Sequence, residues 1–317
     1  MSAVLNIIVS CSDRKRLTVP RLLRARALGH RPLKVRFEGW WTRLSEATGH
    51  TIPANDLYLG DHWQICRSLP AVAKENGFAP KLWIVSAGYG LVSADALLHP
   101  YSATFAAGQQ DTVVSADEGT DGLRDWWALL AARSGPLRGS PRSIAEVVRT
   151  SPRGHIVVVS SPNYIKALRD DLVEALSLMV RKDRFLVITS QTALPATLQA
   201  HVIPSEARLK AIVGGALPSL HARVARKILS ETRPSQFEAS NLRSHYQRLL
   251  QRTPDLPRYE RASMTDQEVR RFIKTRLHLK PRLSRTPLLR ELRDGGFACE
   301  QARFGALYRE VAQHVSQ

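Results

Sequence analysis

Four short apolar runs rich in β-branched residues constrain the fold of this chain more than any other feature of its sequence. They cover residues 4–9, 82–85, 155–159 and 185–188, and each has the length and composition of a strand buried on both faces. Small polar residues end every run, and helix-like segments follow at least the first three. This alternation predicts an α/β fold with an open parallel sheet, whose ligand site lies outside the carboxyl ends of the strands. The four polar endings are therefore expected to converge.

The remaining sequence predicts how the chain divides. Residues 105–152 separate the second and third strands and indicate an inserted excursion, with helices near 121–133 and 143–149. Beyond residue 204 no further strand pattern occurs, while apolar residues recur at helical spacing. We therefore expect an α/β catalytic domain over 1–204 and a basic α-helical region over 205–317.

The C-terminal region carries the signals of three successive helices. A capping-box pattern at Thr265 predicts a helix to about Leu277, and Thr286 followed by proline predicts the N-cap of a second helix. Gly295 and Gly296 should end that helix, and residues 297–315 should form the third. This outline is typical of a helix-turn-helix, although an ordinary three-helix bundle with a solvated basic face fits it as well.

The charge of the chain points to a polyanionic partner. Its formal net charge is +18, and residues 205–317 hold 22 Lys and Arg against 11 Asp and Glu, so the helical region is the more basic part per residue. Nucleic acid is the first candidate and an anionic membrane the second. No run approaches the roughly 20 apolar residues of a spanning helix, and the first residues lack a signal-peptide pattern. A cytoplasmic DNA-binding protein is the resulting expectation, with no obligatory protein partner evident.

The cysteines indicate neither a disulfide framework nor a metal centre. Cys11, Cys66 and Cys299 are odd in number and far apart, without paired C-x-x-C spacing. We expect reduced thiols, no metal and no organic cofactor. Cys11 ends a buried strand and no histidine is an evident partner for it, so packing is its more natural role than nucleophilic attack.

The first candidate site motif is Ser-Cys-Ser-Asp-Arg-Lys after the first strand. Small residues let a ligand approach the backbone, and Arg14 and Lys15 have the charge to meet phosphate. Asp13 supplies a carboxylate in the same turn. A tight βα turn with exposed charges is the alternative.

The second motif is Ser-Ala-Gly-Tyr-Gly-Leu-Val at 86–92, followed by Asp95 and Tyr101. Two glycines around Tyr89 predict a pliable loop that presents an aromatic ring, as base stacking requires. Asp95 would stabilise positive charge on a sugar or activate water, whereas an N-cap is its plain alternative.

The third motif, at residues 160–164, places hydroxyls, an amide and an aromatic ring at a strand end. Ser160, Ser161 and Asn163 are suited to hydrogen bonds with a base edge, and Tyr164 to contact with a base face. A turn that begins a helix explains the same residues equally well.

Taken together, the motifs C-S-x-x-K, S-A-x-Y-G-L-x-x-x-D and P-Y resemble a bacterial domain family related to the uracil-DNA-glycosylase fold. That fold also occurs in accessory domains of deazaguanine transglycosylases and in a peroxide-stress DNA-binding family. The resemblance covers about residues 4–190. The matching positions are Cys11, Ser12, Lys15, Ser86, Ala87, Tyr89, Gly90, Leu91, Asp95, Pro100 and Tyr101.

Within such proteins, the chain resembles bacterial anti-phage DNA glycosylases that remove glucosylated hydroxymethylcytosine from phage genomes. The G-Q-D-P-Y-H element of uracil glycosylases is only faintly matched at residues 11–13, and their H-P-S-P element is replaced at 160–164. Uracil is therefore a poor substrate. The similarity implies hydrolysis of an N-glycosidic bond after base flipping, to leave an abasic site.

We therefore expect one residue set for each duty of such an enzyme. Catalysis would fall to Asp95, with Asp13 as the second carboxylate, and to Tyr89 beside them. The expected base-binding residues are Ser86, Tyr101, Ser160, Ser161, Asn163 and Tyr164. The expected DNA-binding residues are Arg14, Lys15, Arg303 and Arg309, the last two chosen because they lie off the apolar face of the final helix.

Two other functions remain open from the sequence. A base-exchanging transglycosylase or nucleoside-processing enzyme would use the same pocket but needs a nucleophile that holds the sugar covalently. A non-catalytic DNA-binding protein would use the charge and the helices alone.

Overall fold

The computed structural model describes residues 3–190, 193–256, 260–280 and 283–315. The chain divides into two compact units, Met1–Pro254 and Asp255–Gln317. This boundary lies well beyond residue 204, where the sequence pattern placed it. The reason is packing, because Leu220, Ile228 and Leu250 belong to the same hydrophobic core as the strands of the first unit.

The first unit alternates strands and helices along the chain. Its elements are β1 (Ala3–Ser10), α1 (Leu33–Ser45), β2 (Ile52–Pro53), α2 (Ala54–Leu57), α3 (Asp61–Glu75), β3 (Phe78–Ser86), β4 (Gly90–Ser93), β5 (Leu97–Leu98), α4 (Gly119–Ala131), α5 (Ile144–Thr150), β6 (His155–Val159), α6 (Pro162–Ala167), α7 (Arg169–Leu178), β7 (Phe185–Thr189), α8 (Ala196–Gln199), β8 (Val202–Pro204), α9 (Lys210–Val213), α10 (Leu220–Glu231) and α11 (Ala239–Arg252). All four predicted strands and both predicted helices of the excursion are present.

Six of these strands form one sheet in the order β4-β3-β1-β6-β7-β8. Every neighbouring pair is parallel except β3 and β4, which are antiparallel. The mixed α/β fold with a mostly parallel sheet is thereby confirmed. The helix expected after the second strand is replaced by a hairpin, because Gly90 adopts a φ of +78° and lets the chain reverse directly into β4.

Helices cover both faces of this sheet. Consecutive residues of β6 and β7 are all buried, which is the pattern of strands covered on two sides. Helices α3 and α10 pack against each other, α3 also contacts β3, and α10 contacts β6 and β7. No helix in the described parts of the chain is both long enough and apolar enough to cross a bilayer.

The second unit has a core of its own, to which three helices contribute nearly all the buried residues, and it also contains two very short paired strands. Its elements are β9 (Ala262–Ser263), α12 (Asp266–Leu279), α13 (Arg285–Asp294), β10 (Phe297–Ala298) and α14 (Gln301–Val315). The capping box at Thr265 and the glycine end of α13 are as predicted. Thr286, however, lies inside the first turn of α13, whose N-cap is Ser284. The third helix begins at Gln301 because residues 297–298 pair with β9 instead.

Candidate functional site

The polar strand endings meet at one edge of the sheet, as the parallel order requires. Ser10 aligns with Val85 at the end of β3, Val9 with Val159, and Val159 with Ile188. Four adjacent strands therefore end at a small polar residue or just before one. These residues are Ser86, Ser10, Ser160 and Thr189, and all four are nearly or fully buried. The expected convergence of the strand endings is confirmed.

A cluster of hydroxyl groups lies at this edge beside the end of β1. The Tyr101 hydroxyl lies 2.5 Å from Ser86 Oγ and 2.8 Å from the Tyr58 hydroxyl. Next to them, Cys11 Sγ lies 3.5 Å from the Tyr164 hydroxyl. We call these five residues the hydroxyl cluster. Burial raises the pKa of all three tyrosines well above the usual value, so their hydroxyls stay neutral and keep a proton to donate.

Lys15 crosses the hydroxyl cluster with its amino group turned inward. Its Nζ lies 4.7 Å from the centre of the Tyr101 ring and donates to the carbonyl oxygens of Ser12, at 2.9 Å, and Asp13, at 3.0 Å. Burial lowers the pKa of Lys15, and the nearby Cys11 and Asp13 act in the opposite direction. The Lys15 amino group, which was expected to meet phosphate, is therefore bonded to the protein's own backbone. The ammonium group instead fixes the turn after β1.

One carboxylate, Asp13, lies in this turn and another, Asp111, lies near it, and the two differ in exposure and in their hydrogen-bond partners. Asp111 is buried and accepts hydrogen bonds from Arg26 Nε at 2.9 Å and from Ser102 Oγ at 2.8 Å. Burial alone would raise the pKa of Asp111, but these bonds hold it below its usual value. Asp13 is exposed, and its carboxylate has no hydrogen-bond or ion-pair partner in the described parts of the chain. Arg14 beside it is also exposed. Asp13 is therefore the carboxylate at this edge that is open to a ligand.

Asp95 does not lie at the carboxyl edge, contrary to expectation. Strand β4 runs back along β3, and the Ala94 amide donates to the Leu82 carbonyl, four residues before Ser86. At about 3.3 Å per residue this is roughly 13 Å back along the strand. Asp95 itself is exposed in a turn, and no described residue bonds its carboxylate.

The loop that carries Tyr89 is rigid rather than pliable. Trp126 Nε1 donates to the Ala87 carbonyl and Trp40 Nε1 to the Gly88 carbonyl, each at 2.8 Å. Arg142 donates to the Tyr89 carbonyl at 2.5 Å. Each of these carbonyls thus has a side-chain donor from a distant segment, so the loop is held in one conformation.

The tyrosines expected to stack on a base are themselves packed inside the unit. Tyr89 is 5%, Tyr101 0% and Tyr164 7% exposed. The Tyr89 hydroxyl accepts from the His99 amide at 3.0 Å, and the Tyr164 ring packs edge-on against Phe105. Their rings are therefore not free to stack on a base, and of the three hydroxyls those of Tyr101 and Tyr164 lie in the hydroxyl cluster at the edge.

The third motif divides between buried and accessible residues. Ser160 is fully buried, and its Oγ has no hydrogen-bond partner among the residues described. Ser161 and Asn163 are half-buried at the start of α6. Because β1 and β6 are neighbours and Tyr164 touches Cys11, this start of α6 lies next to the turn that holds Asp13. Of the polar residues in this motif, Ser161 and Asn163 are thus the ones with side chains partly accessible from solvent.

A pair of histidines that the sequence did not single out lies behind the same edge. His62 Nε2 is 3.2 Å from the Ser10 carbonyl oxygen, and the rings of His62 and His221 are 4.9 Å apart. Burial lowers the pKa of His221 to about 3, with His62 acting in the same direction. Both rings are therefore neutral near pH 7. Their separation in sequence hid the pair, since each histidine alone gives no signal.

In the second unit the two predicted DNA contacts differ in their surroundings. Arg303 Nε donates to Asp266 Oδ1 at 2.7 Å and its terminal nitrogen to the Met264 carbonyl at 2.7 Å, so it ties α14 to the start of α12. Arg309 is exposed, and among the residues that the structure describes its side chain bonds only the Gly305 carbonyl of its own helix, at 3.2 Å. Arg303 is thus engaged within the fold, and Arg309 remains accessible.

The three cysteines are separate and buried, and in the described parts of the chain no three His, Cys, Asp or Glu side chains are grouped to hold a metal ion. Comparison of the chain with protein-family models and with curated proteins finds no match. The groups at this edge that can take part in chemistry are the open carboxylate of Asp13, the hydroxyl cluster and the polar start of α6.

Proposed function

We propose that this chain is a DNA glycosylase that hydrolyses the N-glycosidic bond of a modified base. Glucosylated hydroxymethylcytosine in phage DNA is the substrate that the motif resemblance favours, and cytoplasmic defence against phage is the corresponding role. The observation that carries the proposal is the position of Asp13, an exposed carboxylate at the carboxyl edge of a mostly parallel sheet. A uracil-DNA-glycosylase-like site would occupy this edge.

In the proposed reaction, Asp13 meets the charge that develops on the sugar. The transition state for loss of a base carries positive charge on the deoxyribose, and a fixed carboxylate lowers its energy or activates the attacking water. Lys15 is a positioning residue, because it bonds the backbone carbonyls of Ser12 and Asp13 and so fixes the turn. Asp95 is not assigned to this step, since its turn lies away from the edge.

The flipped base would be held by polar groups on the neighbouring strand ending. Ser161 and Asn163 supply a hydroxyl and an amide at the start of α6, which suits the polar edge of a base or of a sugar attached to it. The buried tyrosines contribute hydroxyl donors rather than stacking surfaces.

The C-terminal unit is proposed to hold the duplex as a helix-turn-helix-like bundle. Its helices α13 and α14 are joined through Gly295, Gly296 and the short strand β10, and the unit is rich in arginine. Extrusion of a base requires the flanking duplex to be gripped by its phosphates, which is the duty assigned to this unit.

The test compares Asp13→Asn with Asp95→Asn on phage DNA that contains the glucosylated base. Both residues are exposed, so both variants should melt like the parent protein. Asp13→Asn should lower the rate of base release on the order of a hundredfold or more, while Asp95→Asn should release base at the parent rate. Release by Asp13→Asn at a near-parent rate would remove this carboxylate from the mechanism.

One contact favours a second candidate, a base-exchanging transglycosylase. Cys11 Sγ lies within the hydroxyl cluster, and its attack on the anomeric carbon would break the N-glycosidic bond, release the base and leave the sugar bound to sulfur. Mass spectrometry of the protein quenched during turnover separates the two reactions. A hydrolase should show unmodified protein, whereas a transglycosylase should show a sugar adduct that Cys11→Ala abolishes.

A further inference from the structure

The second unit contains a cleft of about 300 Å³ whose lining is rich in arginine. Helix α13 forms much of its wall, and the start of α14 contributes Gln301. Its polar and charged lining includes Arg261, Arg285, Arg290, Arg293, Asp294 and Gln301. The cleft thus gathers four guanidinium groups against one carboxylate.

Three arginines elsewhere in the described part of this unit are paired with carboxylates, whereas two in the cleft are not. Arg270 pairs with Glu310, Arg276 with Glu291, and Arg303 with Asp266. By contrast, Arg285 and Arg290 are exposed and form no ion pair with any residue that the structure describes. Neighbouring like charges repel, so holding them in one cleft is a cost that an anionic ligand would offset.

The wall behind these two arginines is fixed by hydrogen bonds. A terminal nitrogen of Arg293 donates to the Cys299 carbonyl at 2.9 Å, and Arg261 Nε donates to the Arg293 carbonyl at 2.9 Å. The first turn of α13, where Arg285 lies, has neither an acidic residue nor a side-chain cap. Its amide groups therefore add positive potential at the same end of the cleft.

We propose that this cleft binds the phosphodiester backbone of duplex DNA, with Arg285 and Arg290 as the phosphate ligands. This inference rests on the proposed function, and it assigns to α13 the contact that the sequence assigned to Arg303 and Arg309 of α14. Guanidinium groups match phosphate oxygens in a two-bond geometry. The two residues are separated by five positions, about 7.5 Å along the helix axis, so each can reach a different phosphate.

The experiment measures duplex affinity against salt for the full-length protein and for two charge-matched variants. Arg285→Ala/Arg290→Ala removes two cleft arginines, and Arg270→Ala/Arg276→Ala removes two paired arginines from α12. The cleft variant should bind on the order of tenfold more weakly at 0.1 M salt, and the slope of log affinity against log salt should shrink by about 1.8. The control variant should change neither quantity appreciably. Circular dichroism melting checks that both variants are folded.

The outcomes separate this inference from the function on which it rests. Full-length protein that binds no duplex at low salt would overturn both the DNA-binding function and the cleft assignment. Full-length protein that binds duplex, with the two variants weakened equally or the cleft variant unaffected, would overturn the cleft assignment alone. A variant with Arg285→Lys and Arg290→Lys keeps the charge but loses the two-bond geometry, and it should recover the salt slope with reduced affinity.

Discussion

Arg142 is predicted to be the side chain on which the rigidity of the Tyr89 loop depends most. It is 7% exposed, and its guanidinium donates to the carbonyls of Tyr89, Leu91, Leu130 and Arg133. Burial lowers its pKa to about 10, so it stays charged at neutral pH. Arg142→Met removes every one of these bonds at similar side-chain length. At about 1 kcal/mol or more for each buried acceptor left without its donor, we expect the free energy of unfolding to fall by about 3 to 5 kcal/mol.

Tryptophan fluorescence during urea unfolding measures this loss of stability in the structural unit that contains Arg142. All six tryptophans lie within Met1–Pro254, and Trp40 and Trp126 bond the loop directly. Arg149→Met is the matched control, because Arg149 is half exposed in a surface ion pair whose removal should cost under about 1 kcal/mol. A loss below about 1 kcal/mol for Arg142→Met would refute the assigned role of this side chain.

Two further predictions concern the stability of the same unit. The pKa of His221 is about 3 in the folded protein and near 6.5 in the unfolded chain, so the unfolded state takes up the proton first as the pH falls. The free energy of unfolding should therefore drop by about 2 kcal/mol between pH 6.5 and pH 5. His221→Phe should lose that part of the pH dependence in urea titrations, and an unchanged dependence would contradict the assignment. A Cβ on Gly88 would lie 2.5 Å from the Tyr101 ring, so Gly88→Ala should cost about 2 kcal/mol or more. By contrast, a Cβ on Gly39 inside α1 would meet the Leu28 side chain at an ordinary contact distance of 3.7 Å, so Gly39→Ala should stabilise slightly. Equal melting temperatures for these two variants would contradict the packing of the loop.

The elements that the sequence predicted are those with local signals. The four strands were visible because β-branched runs are bounded by small polar residues, and α12 because Thr265 and Glu268 cap each other three positions apart. The convergence at the carboxyl edge followed from parallel order alone.

What the sequence missed depends on contacts between distant segments. Tyr58 joins the hydroxyl cluster through Tyr101, 43 positions away, and His62 meets Ser10 across 52 positions. The reversal at Gly90 was taken for the start of a helical segment, and it carried Asp95 away from the edge. Charge counting assigned the basic character to residues 205–317 as a whole and could not distinguish Arg303, held by Asp266, from the exposed arginines of α13.

The most direct test of the proposed glycosylase measures two products in one reaction. Full-length protein is incubated with phage DNA that contains glucosylated hydroxymethylcytosine, and with the same DNA containing ordinary cytosine. Released bases are counted by mass spectrometry and abasic sites by aldehyde labelling. We expect equal amounts of free modified base and abasic sites from the first DNA and neither product from the second. Binding to both DNAs without release of any base would contradict the glycosylase and leave a non-catalytic DNA-binding protein.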